Sequence, residues 1–372
     1  MRVGIRRSPA VTKATTTRTT ERRWFPGYVL ALGAVSWAGA WSCAAAPRVK
    51  PVPVPTHVPG VPALHHGPLG DFVPAASLRW LVLVKPREIL TDPELGPAIA
   101  EIVSNRRLDA FAESSGVDLR QVTRAAVAGF PYATLYLAEV PDGTAAAARE
   151  HFGERLLAGA VSKQPRANLI RITGVVGQTP ETLLTVEDRV LAVAVGDPLL
   201  AKIAEAYAEE RLKNSPSALR GAALSTLPDL ASENAVTLFA PGPFADEWRR
   251  AAGGLLESTV AVGVALRPIG HGKIVATLCL SGAWQESADA AVSRLATAWT
   301  AFAQSSAGHL FALSPNAEVK ASPDLLTLNV EIEIEPLVRG LKAAVLSDIT
   351  ELLQVQGKTQ HSAPDLAPNG AP

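Results

Sequence analysis

Lys273-Ile274-Val275-Ala276-Thr277-Leu278-Cys279-Leu280-Ser281 is the stretch on which the fold turns. Read with a period of two, Val275, Thr277 and Cys279 share one face, and Ile274, Ala276, Leu278 and Leu280 share the other. Both faces are mostly apolar, so the stretch reads as a strand covered on both sides. Thr259–Leu266 has the same character, and Pro268-Ile269-Gly270-His271-Gly272 separates the two with turn residues. The pair predicts an antiparallel hairpin.

Outward from this hairpin, strands and amphipathic helices alternate. Trp284, Ala288, Ala291, Leu295, Trp299 and Phe302 recur at helical spacing. Leu325–Glu335 reads as a strand, and Pro336–Leu353 as a helix. Upstream lie a strand over Ala235–Ala240 and a helix over Phe244–Leu256. The first half runs similarly. Leu78–Val84 is a strand ended by Pro86, and Thr91-Asp92-Pro93-Glu94 has the form of a capped helix start. Leu95, Ile99, Ile102 and Val103 follow at helical spacing; Leu108, Phe111 and Ala112 repeat it up to a stop at Gly116. Thr123–Ala128 and Ala133–Val140 read as strands paired around Gly129-Phe130-Pro131. A helix over Thr144–Leu157 precedes strands at Asn168–Gly174, Glu181–Val186 and Val190–Val195. Asp197-Pro198 opens a helix that reaches Leu212.

The order strand, helix, hairpin, helix, one or more strands, helix thus recurs over 78–212 and 235–353. The expected class is α+β: two similar lobes of antiparallel sheet with helices packed on one side, as an internal duplication would give. Leu83, Leu135, Val193, Val262, Thr277 and Leu328 are expected on strands. Phe111, Phe152, Ile203, Leu295 and Leu341 are expected to face inward from helices. The Ser-, Pro- and Ala-rich stretch 214–234 separates lobes at 71–213 and 235–354.

The N-terminus speaks to location. Residues 1–27 carry Arg2, Arg6, Arg7, Lys13, Arg18, Arg22 and Arg23 against Glu21 alone, and Tyr28 to Trp41 is an apolar run of 14 residues. As a helix that run spans about 21 Å, short of the roughly 30 Å hydrocarbon core, so it reads as a secretory segment. Ala40-Trp41-Ser42-Cys43 resembles the lipobox of bacterial lipoproteins, with small Ser42 before the cysteine; Ala40 and Trp41 depart from the usual pattern. The resemblance implies a signal peptide over 1–42, acylation of Cys43 and anchoring in the cell envelope, the outer membrane being favoured. Ordinary cleavage after Ala40 is the other reading of the same residues. Pro at 47, 51, 53, 55, 59, 62 and 68 predicts an extended tether over 43–70, and the polar tail 355–372 reads as disordered.

Composition narrows the partners. The whole chain is neutral, but residues 1–42 hold seven of the 35 basic residues and one of the 35 acidic ones. The remainder carries 28 basic and 34 acidic side chains, a net charge of −6. This disfavours nucleic acid as a partner, since phosphate-backbone binding is driven by basic surface. With Cys43 acylated, Cys279 has no disulfide partner and is expected to act as a buried hydrophobe.

Motifs that carry chemistry are absent: no Gly-x-Ser-x-Gly, His-Glu-x-x-His, Cys-x-x-Cys or Ser-x-x-Lys occurs. Glu331, Glu333 and Glu335 fall on one face of their strand, a carboxylate row that could hold Ca²⁺ but reads first as a wet sheet face. Asp109, Glu113 and Asp118 cluster near a helix end. His57, His65 and His66 fall in the tether, and His151 and His309 stand alone. Gly270-His271-Gly272-Lys273 is a turn, lacking the spacing of a phosphate loop. Trp248, Trp284 and Trp299 read as core, with an apolar-ligand pocket as the alternative. No cofactor or metal is implied. The expectation is a non-catalytic lipid-anchored envelope protein with a protein or cell-wall partner. A carrier of an apolar ligand, and a hydrolase whose site is scattered in sequence, are the alternatives.

Overall fold

The computed structural model describes residues 64–343 except 66, 158–159, 213, 228, 231–233 and 252. The leader, Cys43, His57, His66, Leu353 and the tail lie outside the described residues.

The protein is α+β. Twelve antiparallel strands form one sheet in the order β11-β12-β10-β9-β8-β1-β2-β3-β7-β6-β5-β4. In the first half these are β1 (Trp80–Val84), β2 (Arg124–Gly129), β3 (Thr134–Glu139), β4 (Val161–Arg166), β5 (Leu169–Val176), β6 (Thr179–Val186) and β7 (Val190–Val195). The second half supplies β8 (Val236–Pro241), β9 (Thr259–Gly270), β10 (Lys273–Gly282), β11 (Glu318–Ala321) and β12 (Leu325–Glu333). The helices are α1 (Pro86–Thr91), α2 (Leu95–Ala100), α3 (Asn105–Ser115), α4 (Thr144–Arg155), α5 (Leu199–Ala208), α6 (Asp246–Ala251), α7 (Ala288–Ala303) and α8 (Ser306–Leu310), and 334–343 is helical too.

The halves meet without a gap. β1 pairs with β2 on one side and with β8 on the other, with Leu81 opposite both Ala128 and Phe239. The deciding hairpin forms as read: β9 and β10 pair with Cys279 opposite Gly263 and turn at His271-Gly272, both at positive φ. All six named strand positions lie on strands. Phe111, Phe152 and Leu295 are buried, whereas Ile203 and Leu341 are half-buried.

The expectation that helices cover one side fails in the first half, where both faces are apolar. On one face Leu81, Ala128, Leu135, Ala194 and Leu184 pack under α5, through Ala201, Ala204 and Ala208, and under Leu69 and Phe72. On the opposite face Ala125, Ala138, Leu183 and Leu191 pack under α3 and α4, through Phe111, Ala145, Ala148 and Phe152. Burying each Phe or Leu side chain here contributes about 1.5–3 kcal/mol. In the second half α7 places Ala291 and Leu295 against Leu326, Leu328 and Val330.

Two segments expected to be loose are part of this body. Composition places Leu64, Leu69 and Gly70 in the tether, yet they are buried, and Leu69–Phe72 forms a 3-10 turn. In the connector, Leu219, Leu224 and Leu227 are buried in the same cluster, and Ser217 bridges to Pro74. The apolar side chains outweigh the turn-rich composition around them. The strand expected to run to Glu335 ends at Glu333, because the helix begins at Ile334.

Candidate functional site

The strongest concentration of perturbed ionisable groups lies between the sheet and helices α3 and α4. In register, Tyr136 on β3 stands opposite Val193 on β7, which stands opposite Leu183 on β6. Glu181 stands opposite Val195, one step nearer the strand ends on the same face. The helix α4 lies close because Ala145 and Ala148 face the sheet; Phe152 follows on the same stripe, and Arg155 ends the helix beside Glu181. Together with Phe111, Ser115 and Val117, these residues other than Ala145 line a cavity of about 60 Å³.

Arg155 Nη2 donates to Glu181 Oε2 at 2.7 Å, and its guanidinium carbon lies 5.3 Å from the centre of the Phe152 ring. Burial raises the Glu181 carboxyl above its ordinary range, outweighing the attraction of Arg155. The same burial lowers the Arg155 guanidinium. Burial and then the charge of Glu181 raise the Tyr136 phenol. Perturbed groups in a cleft mark functional-site candidates. The volume limits what this one can do. It is well below the roughly 150 Å³ that admits benzene, so it has room for a small aliphatic group or a few waters. Its main charge pair is a helix-to-sheet clamp.

A second hollow, of about 900 Å³, is wide and polar. Its floor is one sheet face of β9, β10 and β12, with Arg267, Lys273, Thr277, Asn329, Glu331 and Glu333. Lys273 Nζ donates to Glu331 at 3.0 Å, and Thr277 Oγ1 to Asn329 Oδ1 at 2.7 Å. The expected carboxylate row is shorter than read. Glu331 and Glu333 share the exposed face, while Glu335 is helical and pairs with Arg339. Among the described residues no three His, Cys, Asp or Glu side chains are placed to hold a metal.

The other residues singled out in the sequence are dispersed. Arg120 bridges Asp109 at 2.8 Å and Asp118 at 2.8 Å, which fixes the turn after α3. His151 lies 3.6 Å from Glu154 on its own helix, and His309 is exposed on α8. Trp284 is buried and donates to Leu280 O at 3.0 Å, Trp299 donates to Ser314 O at 3.0 Å, and Trp248 is partly exposed. None of the three lines either hollow. Cys279 is a buried free thiol, and burial pushes it up to about 11.

Sequence reasoning missed one polar knot. His65, Asp71, Ser217 and Arg220 converge, with Arg220 Nη2 2.6 Å and His65 Nε2 3.1 Å from Asp71 Oδ2. Nothing in the spacing announces it, since Asp71 and Ser217 stand on opposite sides of the first half. Among the described residues no helix is long and apolar enough to cross a membrane. No family model, curated protein or solved structure matches the chain.

Proposed function

We propose that the chain is a lipid-anchored envelope protein that binds a protein partner and does no chemistry on it. In this reading Cys43 carries the acyl chains and the Pro-rich segment before Leu64 spans from membrane to body. The observation that carries the binding role is the β2–β3 turn. Tyr132 at its tip is 95% exposed, and Leu199 at the start of α5 is also exposed. A Cβ on Gly196, just before α5, would lie 2.4 Å from Tyr132 O, so the tip and the entry to α5 are held together. Tyrosine is among the residues that carry most of the binding energy in protein interfaces. The small volume beneath α4 speaks against the apolar carrier, and the pairing of Glu181 with Arg155 against a hydrolase built there.

The finer architecture belongs to the same reading. The order β1-β2-β3-β7-β6 on one side of the β1–β8 seam parallels β8-β9-β10-β12-β11 on the other. A helix, α4 or α7, follows the third strand in each. We take this as an internal duplication whose two lobes share one sheet.

Photo-crosslinking in intact cells tests the binding role. A crosslinker at position 132 of the full chain should yield a discrete protein adduct, and one at position 333 should not. Equal yields at both, or adducts to cell-wall polymer alone, would sink the protein-partner reading. Labelled fatty acid should enter the wild-type chain and not Cys43→Ala; a wild-type chain that never takes up label is cleaved after Ala40 instead.

A further inference from the structure

The middle of the sheet is apolar on both faces but covered on one. Along β9, Ala261, Gly263 and Ala265 are buried on the face toward Leu227. Val262, Val264 and Leu266, on the other face, are only half-buried, and Val260 is 50% exposed. The strand β8 alternates in the same way: Thr237 and Phe239 are buried, while Val236, Leu238 and Ala240 are half-buried. In register, Val82, Leu238, Val264 and Leu278 form one row of this second face. Helices cover the face on either side of the row: α7 packs on Leu328, the partner of Leu278, and α4 packs on Ala138 and Leu191. At one end α2 leans in, with the Gly272 N–H donating to Glu94 Oε2 at 2.9 Å. Between these helices β1, β8 and β9 floor an apolar trough.

The described residues end at the mouth of this trough. The helix that opens at Ile334, whose N–H donates to Gly272 O at 2.8 Å, places Ile334 and Val338 in the cluster on the same face. Its last described turn passes between α8 and the end of α2. A Cβ on Gly340 would lie 2.6 Å from Leu310 O, and Lys342 Nζ is 3.6 Å from Glu101 Oε2. The sequence continues Ala344-Val345-Leu346-Ser347-Asp348-Ile349-Thr350-Glu351-Leu352-Leu353. Val345, Ile349 and Leu352 extend the stripe of Ile334 and Val338 at helical spacing, and Ser347, Thr350 and Glu351 fall on the opposite side.

We propose that residues 344–353 prolong this helix and lie along the trough, burying Val345, Ile349 and Leu352 against β8 and β9. The dimensions agree. Three strands spaced about 4.8 Å apart leave the width of one helix, about 10 Å across, and ten helical residues span about 15 Å. The chemistry agrees too, since a contiguous apolar sheet face is a surface that soluble chains cover. A segment of the same chain needs no encounter with a partner to do so. The trough is then a helix-binding groove that the chain fills itself, and a competing amphipathic helix must displace residues 344–353 to enter it. The assignment is independent of an anchor at Cys43 and of a partner at Tyr132.

Disulfide trapping in the full chain tests it, with the linked peptides identified by mass. Val345→Cys and Ile349→Cys are each combined with Leu238→Cys or Val264→Cys on the trough floor. At least one combination should close within a single molecule under mild oxidation. Neither tail position should link to Glu331→Cys, which is exposed on the opposite face of β12. A second measurement leaves the floor untouched. Ile349→Asp should open the trough, so that an apolar-surface dye binds this variant and not the wild type, while the amides of α4 keep their exchange protection. No intramolecular link in any combination, equal linkage to both faces, or links only between two molecules overturns the proposal. So does equal dye binding by wild type and Ile349→Asp.

Discussion

Trp80 occupies the space that a side chain on Gly129 would need. The two residues are partners across β1 and β2, and a Cβ on Gly129 would lie 2.1 Å from Trp80 Cε2. Gly129→Ala must push the indole aside in the centre of the sheet. The cost should be about 1–3 kcal/mol. Denaturant unfolding of the single variant and of Gly129→Ala in a Trp80→Ala background checks it: the penalty should largely vanish in the second. An equal penalty in both would mean that the glycine matters for another reason.

The Arg155–Glu181 clamp predicts an unusual pH signature. Glu181 is raised by burial, so the folded state holds its proton more firmly than the unfolded one. Its contribution is greatest below the unfolded carboxylate range near pH 4.5 and falls as pH rises through the folded value. Glu139 does the opposite. A hydrogen bond from Arg124 lowers it, so its stabilisation is present above that range and is lost on acidification through its folded value. In stability–pH curves, the Glu181→Gln difference from wild type should therefore change with pH above about 4.5 and the Glu139→Gln difference below it, with opposite slopes. Parallel curves would refute the assignment.

Cys279 should be chemically silent. Burial holds its thiol at about 11, so little thiolate exists at pH 8. A thiol reagent should modify it only as fast as the protein unfolds, and addition of denaturant should speed labelling by orders of magnitude. Fast labelling of the folded chain at this position would contradict a covered β9–β10 face.

Core and rim should separate cleanly in the second half. Leu295 is buried against the β12 face, and Leu295→Ala should cost about 2–5 kcal/mol. Glu333 is exposed, and Glu333→Ala should stay within about 0.5 kcal/mol. If Glu333→Ala abolished a Ca²⁺-dependent rise in melting temperature, the wet-face account of that strand would be wrong.

Salt should have little influence on any partner. The chain after residue 42 has a net charge of −6. Protein comprising residues 43–372 should wash through immobilised DNA at low salt, and tight retention lost on raising the salt would contradict this.

Periodicity made most of the strands legible because each carries an apolar face whose neighbours in space are strands nearby in sequence. Cys279 and Leu280 fall on opposite faces, as their alternation required, and join different apolar clusters. What stayed hidden had no apolar period to read. The strand β4, Val161-Ser162-Lys163-Gln164-Pro165-Arg166, is an outer edge, where polar residues and a proline are tolerated. At the opposite edge β11 has four residues, half of them charged. Leu64 and Leu69 stand among prolines, and what covers this segment comes from far along the chain: a Cβ on Gly70 would lie 2.6 Å from Leu219. The Glu181–Arg155 clamp was invisible for a related reason: both residues look like ordinary ends of their elements until the helix is laid on the sheet.

The placement of β1 has a consequence for how the molecule is made. Val84 finds its partner Ala125 early, but its other partner, Val236, emerges much later during synthesis. Until then the N-terminal half presents a raw strand edge, Trp-Leu-Val-Leu-Val, with unspent backbone donors and acceptors. Contacts between β1 and β8 therefore raise the contact order and should make closure of the seam a late, slow event. A chain interrupted before β8 would be the sticky form of this protein.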